Sequence, residues 1–279
     1  MSAEAASPRA VNPFLVALSV MLGTFMEVLD ATVANVSLPH IAGSLSASID
    51  ESTWILTSYL VSNAIVLPVS GWFSSLMGRK KFFLLCIFLF SVSSFLCGLA
   101  PSLNILVFFR ILQGLGGGAL QPVSQAILFD AFPREKQGIG MAIYGMGVVF
   151  APIIGPTLGG WITDNFSWRW IFFINIPIGF FSFFLVQTLV HDPHDFKRIP
   201  ARNIDYAGLV LLASGLGTLQ IIFDKGQRED WFESTFIMGL TLITILCMTA
   251  FFLWESRHKN PVLRLSLFRD PNLFSGVIL

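Results

Sequence analysis

Long apolar runs dominate the chain. They cover about residues 14–38, 54–77, 82–100, 103–129, 138–161, 170–190, 207–223 and 234–254, with short polar stretches between. Each is near the ~20 residues that a helix needs to cross a bilayer. None shows the period-2 alternation of a membrane β-strand. Backbone polar groups in lipid must be bonded within the segment, so these runs read as helices. A ninth run begins near Asn272 and reaches only Leu279, too short to span, so the sequence reads as stopping partway into an element. The expected organisation is a cytoplasmic tail over 1–13, a six-helix bundle over 14–190 and a cytoplasmic linker over 191–206. Two additional spans over 207–254 follow, then a cytoplasmic loop and the start of the next span over 255–279. The two additional spans are poorer in polar residues and read as lipid-facing or linking helices.

Composition agrees. Hydrophobic residues make up 54% of the chain and charged residues 12%, against about 25% charged in a soluble domain. The zero net charge hides strong sorting. With the N-terminus in the cytoplasm, 13 of the 17 basic residues fall in inside connections, among them Arg79, Lys80 and Lys81. Only Arg169, Lys225 and Arg228 fall outside, and Arg110 lies within a span. This is the positive-inside pattern. Residues 1–13 lack the basic start and small-residue cleavage site of a signal peptide. No basic stripe or tail points to nucleic acid. Cys86, Cys97 and Cys247 sit inside apolar runs, without metal or disulfide spacing. His191 and His194 read as a solvated loop, since no third ligand is spaced for a metal. No nucleophile–base pair, phosphate loop or cofactor fingerprint suggests an enzyme.

The first span carries two carboxylates, Glu27 and Asp30. An acid at the centre of a spanning helix costs roughly 2.5–3.5 kcal/mol on insertion scales. Gly23, Glu27, Asp30 and Ala34 recur at i, i+4, i+7 and i+11, which puts both acids on one face among small residues. Intramembrane acids face a bundle interior or a watery cavity and mark ion or substrate paths. The competing reading is a structural ion pair. In the fourth span Arg110, Gln113, Gly114, Gly117, Gln121 and Ser124 form a polar and small-residue stripe. Asp30 lies roughly 12 Å and Arg110 roughly 10 Å from the outer ends of their spans, at 1.5 Å per residue. The two are expected to pair, with Glu27 deeper; the alternative has Arg110 bonded only to carbonyls or waters. Burial and a neighbouring cation act oppositely on a carboxyl, so an acid here can exchange a proton for a cationic ligand. Asn35, Gln113 and Gln121 are candidates for polar contacts in the same cavity.

In the fifth span Gly147, Ala151, Gly155 and Gly159 fall every four residues, a seam that lets backbones approach closely. Pro152 and Pro156 remove donors from the helix. Such a seam serves either static packing or a sliding interface. The second span ends in the stretch from Gly71 through Gly78 and Arg79 to Lys81, a basic turn, where Asp130 either pairs with Arg79 or is solvated. The seven Trp residues cluster at span ends, as an interfacial belt does.

Together these stretches resemble the major facilitator superfamily, and within it the fourteen-span drug:proton antiporters of the EmrB/QacA type. The segments that carry the resemblance are Leu29 to Pro39, Gly71 to Lys81, Arg110 to Gly114, Gly155 to Gly160 and Trp168 to Pro177. The Asp224 to Gly226, Asp230 to Phe232 and Pro261 to Phe268 segments add to it, so it extends over essentially the whole chain. Two positions depart from the pattern. Ser75 and Leu76 stand where the loop motif has an acid and a base, so its salt bridge is either missing or made by other groups. Glu27 stands where an uncharged polar residue is usual.

The resemblance implies a 3+3 inverted repeat over the first six spans, two inserted spans and a further bundle. It implies proton-coupled efflux of hydrophobic or amphipathic drugs across a bacterial inner membrane by alternating access. Asp30, Glu27 and Arg110 would then couple proton and substrate. Gly71, Gly78, Arg79, Gly155, Pro156 and Gly159 would serve the conformational change. The proton gradient would drive it with no cofactor. A periplasmic adaptor protein and an outer-membrane channel would be the partners. A related carrier of a lipid, siderophore or metabolite shares these motifs, and a non-transporting scaffold or sensor is the alternative of another class.

Overall fold

The structure, a computed structural model, describes residues 12–192 and 205–258. Among them, eight helical segments are long and apolar enough to cross a membrane. The predicted tail, most of the linker with His194, and the ninth run lie outside the described residues.

Helix α1 (Pro13–Ser44) opens with proline at its first position, and the Asn12 side chain accepts the Phe14 N–H at 3.0 Å. The sequence places a loop over 39–53. Instead α1 continues through Pro39 to Ser44, because Leu38, Ile41 and Ala42 still bury apolar surface against the bundle. A single turn, α2 (Ile49–Ser52), follows. Its capping box joins Ser48 and Glu51: Glu51 N–H donates to Ser48 Oγ at 3.1 Å and Ser48 N–H to Glu51 Oε2 at 2.9 Å. The second span is completed by α3 (Trp54–Met77) and the third is α4 (Arg79–Leu99). Gly78 alone separates them, at φ 93°, a left-handed conformation that costs a Cβ-bearing residue.

The fourth span breaks into α5 (Leu103–Gly117) and α6 (Leu120–Ala131), and α7 (Gln137–Asn165) is the fifth. The sixth comprises α8 (Trp170–Phe173) and α9 (Asn175–Leu189). α10 (Tyr206–Lys225) and α11 (Thr235–Glu255) complete the eight.

The packing follows a two-fold logic. α1 packs most extensively on α7, and α3 packs correspondingly on α5. α1 also meets α9, as α5 meets α4. Exchanging spans one, two and three with four, five and six reproduces these pairings, which is the order of a 3+3 inverted repeat. Two apolar clusters fill the bundle. One surrounds Met26, Phe83, Phe90 and Leu120, and the other Leu29, Val33, Ile55 and Phe172. The acids lie between them on α1. Outside the bundle α10 rests on α3: Val69 packs with Leu212 and Phe251, and Gly217 faces Ile65 and Val61. α11 is mostly exposed and packs chiefly on α10, where Thr218 and Thr244 hydroxyls meet at 2.7 Å. Of the two additional spans, expected as lipid-facing or linking helices, α11 is thus the mostly exposed one, whereas α10 is packed against α3.

Candidate functional site

The helical spacing of Glu27 and Asp30 turns both side chains inward, and both are buried. Asp30 meets Arg110, which is fully buried, with Nη1 2.5 Å from Asp30 Oδ2. The same nitrogen donates to Gln113 Oε1 at 2.9 Å, and Arg110 Nε donates to the Ile55 carbonyl at 3.1 Å. The guanidinium lies 4.1 Å from the Tyr59 ring centroid, a cation–π contact in a desolvated place. Gln113 Nε2 and Asn175 Nδ2 both donate to Asp30 Oδ1, at 2.9 and 2.7 Å. Asn175 also donates to Ser94 Oγ at 3.0 Å, while the Cys97 thiol donates to Gln113 Oε1 at 3.6 Å. The Asp30 carboxyl is therefore enclosed by one cation and two amides, all of them buried.

Glu27 has a different environment. Tyr59 OH and Asn63 Nδ2 donate to Oε1 at 3.2 and 2.9 Å, and Gln121 Nε2 donates to Oε2 at 3.0 Å. No cation shares this set. Asn63 and Gln121 are only half-buried, so Glu27 lies behind polar groups that are themselves partly exposed.

Breaks in two spans and close glycines make these contacts possible. The fourth span interrupts at Gly118–Ala119 and starts again with Gln121 in its next turn. The sixth interrupts at Ile174 and starts again at Asn175, so the donor to Asp30 sits at a helix start. A Cβ on Gly114 would come 2.5 Å from the Tyr59 carbonyl, and one on Gly118 would come 2.6 Å from the Asn63 carbonyl. These glycines let α3 approach closely enough for Tyr59 and Asn63 to reach Glu27.

The structure thus brings together Glu27, Asp30, Arg110, Gln113 and Gln121. Asn35 lies exposed on α1, apart from this cluster. Tyr59, Asn63 and Asn175 were not singled out by sequence reasoning. Asn175 belongs to the Trp168 to Pro177 stretch, and Tyr59 and Asn63 are polar residues four apart within an apolar run; those were the available signals.

The α7 seam faces α1. Gly147, Ala151, Gly155 and Gly159 are buried, with Gly147 against Met21, Gly155 against Thr32 and Gly159 against Val33. Pro152 and Pro156 lie on the exposed side of α7, which continues through both. At the predicted inner end, Arg79 pairs with Asp130 and donates to the Ala126 carbonyl at 3.0 Å. Asp192 accepts the Lys80 N–H at 2.9 Å in the first turn of α4, and Lys80 Nζ donates to the Gln187 carbonyl at 2.7 Å. A Cβ on Gly78 would run into the Asp192 carboxylate, whereas one on Gly71 would meet nothing. Arg79, Lys80, Asp130 and Asp192 therefore tie α4 to α6 and to the end of α9, where Ser75 and Leu76 offer no charge.

Residues 20–278 match the Major Facilitator Superfamily model. The chain belongs to the Major Facilitator Superfamily. It is 45% identical over 264 residues to the multidrug export protein EmrB of Haemophilus influenzae, covering 95% of this chain and 51% of that protein. It is 44% identical to the fatty acid resistance protein FarB of Neisseria gonorrhoeae, covering 94% of this chain and 52% of that protein. The chain thus spans about half the length of the curated relatives it matches. A crystal structure of a peptide transporter in complex with sulfate superimposes at TM-score 0.63 with 15% identity, covering 92% of this chain and 54% of that one. That similarity shows the fold. Membership places this multi-pass facilitator among transporters, not enzymes.

Proposed function

We propose that this chain forms the first bundle and the two added spans of a proton-coupled exporter of hydrophobic or amphipathic compounds. The observation that carries the reading is the buried acid pair on α1, with Asp30 held by Arg110 and Glu27 held by neutral donors behind half-buried amides. Intramembrane carboxylates of this kind serve ion and substrate paths. One charge moved across 100 mV is worth about 2.3 kcal/mol, which is enough to drive concentration of a drug. The relatives are named for multidrug export and for fatty acid resistance, and a fatty acid is a compound with an apolar body. The substrate class follows from that resemblance.

Asp30, Glu27 and Arg110 form the coupling group in this reading, with Gln113 and Gln121 as its polar contacts. The α1–α7 glycine seam and the Arg79 region serve the conformational change. The membrane is the bacterial inner membrane with the N-terminus cytoplasmic, as the basic residues suggest. A periplasmic adaptor and an outer-membrane channel are the partners expected by resemblance. The test uses full-length protein in proteoliposomes. Efflux of a lipophilic cation and of a neutral lipophilic drug should rise under an imposed pH gradient. Both rates should fall at least ten-fold when Asp30→Asn is combined with Glu27→Gln. Unchanged gradient-driven efflux in the double variant would make the acids structural.

A further inference from the structure

We infer that Glu27, not Asp30, is the carboxyl that takes up and releases the transported proton, while Asp30 remains the fixed counter-charge of Arg110. The inference deepens the proposed proton-coupled export and rests on it.

The two acids sit one helical turn apart and differ in what protonation would strand. Asp30 faces Arg110 at 2.5 Å, and Arg110 is wholly buried. Its further contacts are the Ile55 carbonyl, Gln113 Oε1 and the Tyr59 ring, none of which carries a full negative charge. A proton on Asp30 would leave a guanidinium buried without a counter-ion, and breaking a buried pair from one side is strongly unfavourable. A proton on Glu27 strands no cation, because Tyr59, Asn63 and Gln121 are neutral donors. The neutral acid keeps acceptor capacity for them and gains an O–H to donate.

Access separates the acids as well. Every side chain bonded to Asp30 is buried, whereas Asn63 and Gln121 beside Glu27 are half-buried. Glu27 is thus separated from a partly exposed surface by a single layer of amides, whereas Asp30 has only buried groups around it. Gly117 leaves room for the group: a Cβ there would lie 3.4 Å from Glu27 Cγ and 3.0 Å from Tyr59 OH. The titratable and charged neighbours are few. Asp30 lies one turn along α1 with Arg110 of α5 beyond it, and Tyr59 comes from α3. Tyr144 of α7 hydrogen-bonds Thr24 at 3.3 Å, one turn before Glu27. Towards the acids, α4 contributes the Cys97 thiol on Gln113, and α6 and α9 the neutral Gln121 and Asn175.

The uptake step is simple: one proton binds a Glu27 carboxylate oxygen, and the acid returns it to water when the site faces the other side. Infrared difference spectra on acidification, recorded on the full-length protein in liposomes, read this directly. Wild type should gain a carboxylic C=O band that is absent in Glu27→Gln and retained in Asp30→Asn. Retention in Glu27→Gln, or loss in Asp30→Asn, overturns the assignment. Gentler variants guard against misfolding. Gln121→Leu should shift the frequency of the band, and Gln113→Leu should leave it in place; the reverse pattern also overturns it. Drug efflux is measured in the same liposomes. Its absence in wild type would remove the export reading without touching the spectral result, so the two ideas fail separately.

Discussion

Helices α1 and α11 are both long enough and apolar enough to cross a bilayer, yet they live in different solvents. Over its most apolar 18 residues α1 is 56% buried within the protein, and α11 only 11%. α1 carries Glu27, Asp30 and Thr24, and each has a partner on another helix of the bundle. Along α11 the polar groups are hydroxyls such as Thr241 and Thr244, which bond carbonyls of their own helix, Thr244 also meeting Thr218 of α10, until Glu255 at its end. Lipid offers no hydrogen bonds, so a span can hold charge only where protein surrounds it. The polarity of a span therefore reports how much protein lies around it.

The largest blow to this contrast is Arg110→Ala. Removing one member of a buried pair costs about 3–5 kcal/mol. The variant should melt at markedly lower temperature in detergent, and adding Asp30→Asn should recover part of the loss. An intermediate effect separates the two glycine environments. Gly155→Leu on α7 drives a side chain into Thr32 of α1 and should cost about 1–3 kcal/mol. Gly239→Leu on α11 enters open space and should be tolerated, as melting of both variants in parallel would show. The smallest effect is Leu246→Ala on the exposed face of α11, expected within about 0.5 kcal/mol. A loss as large as that of Gly155→Leu would mean that this face is covered by protein.

The same contrast explains what could be read in advance. Charges in apolar runs are loud, so Asp30, Glu27 and Arg110 were legible, and helical spacing with comparable depth sufficed to pair Asp30 with Arg110. The α7 seam was legible because small residues recur every four positions; its partner α1 was not, since repetition names no neighbour. Tyr59, Asn63 and Asn175 were illegible as site residues because neutral polar side chains are common in spans. Their role depends on helix breaks and on glycine contacts between helices distant in sequence. The extension of α1 past Pro39 was missed because proline weakens a helix locally, while burial of Ile41 and Ala42 favours its continuation.

At the predicted outer end, Lys225 of α10 donates to Thr53 Oγ1 and lies over the Trp54 ring, 4.7 Å from its centroid, while Thr57 donates to Asp224. Further along, Gly217 and Leu212 continue the contact with α3. Fastened at intervals along its length, α10 cannot swing independently of α3, and α11 follows through the Thr218–Thr244 bond. The pair behaves as an outrigger on the bundle's flank. If the bundle tilts during a transport cycle, a broad apron of lipid-facing side chains sweeps through the acyl chains with it, so the drag on that motion is set partly by the viscosity of the bilayer.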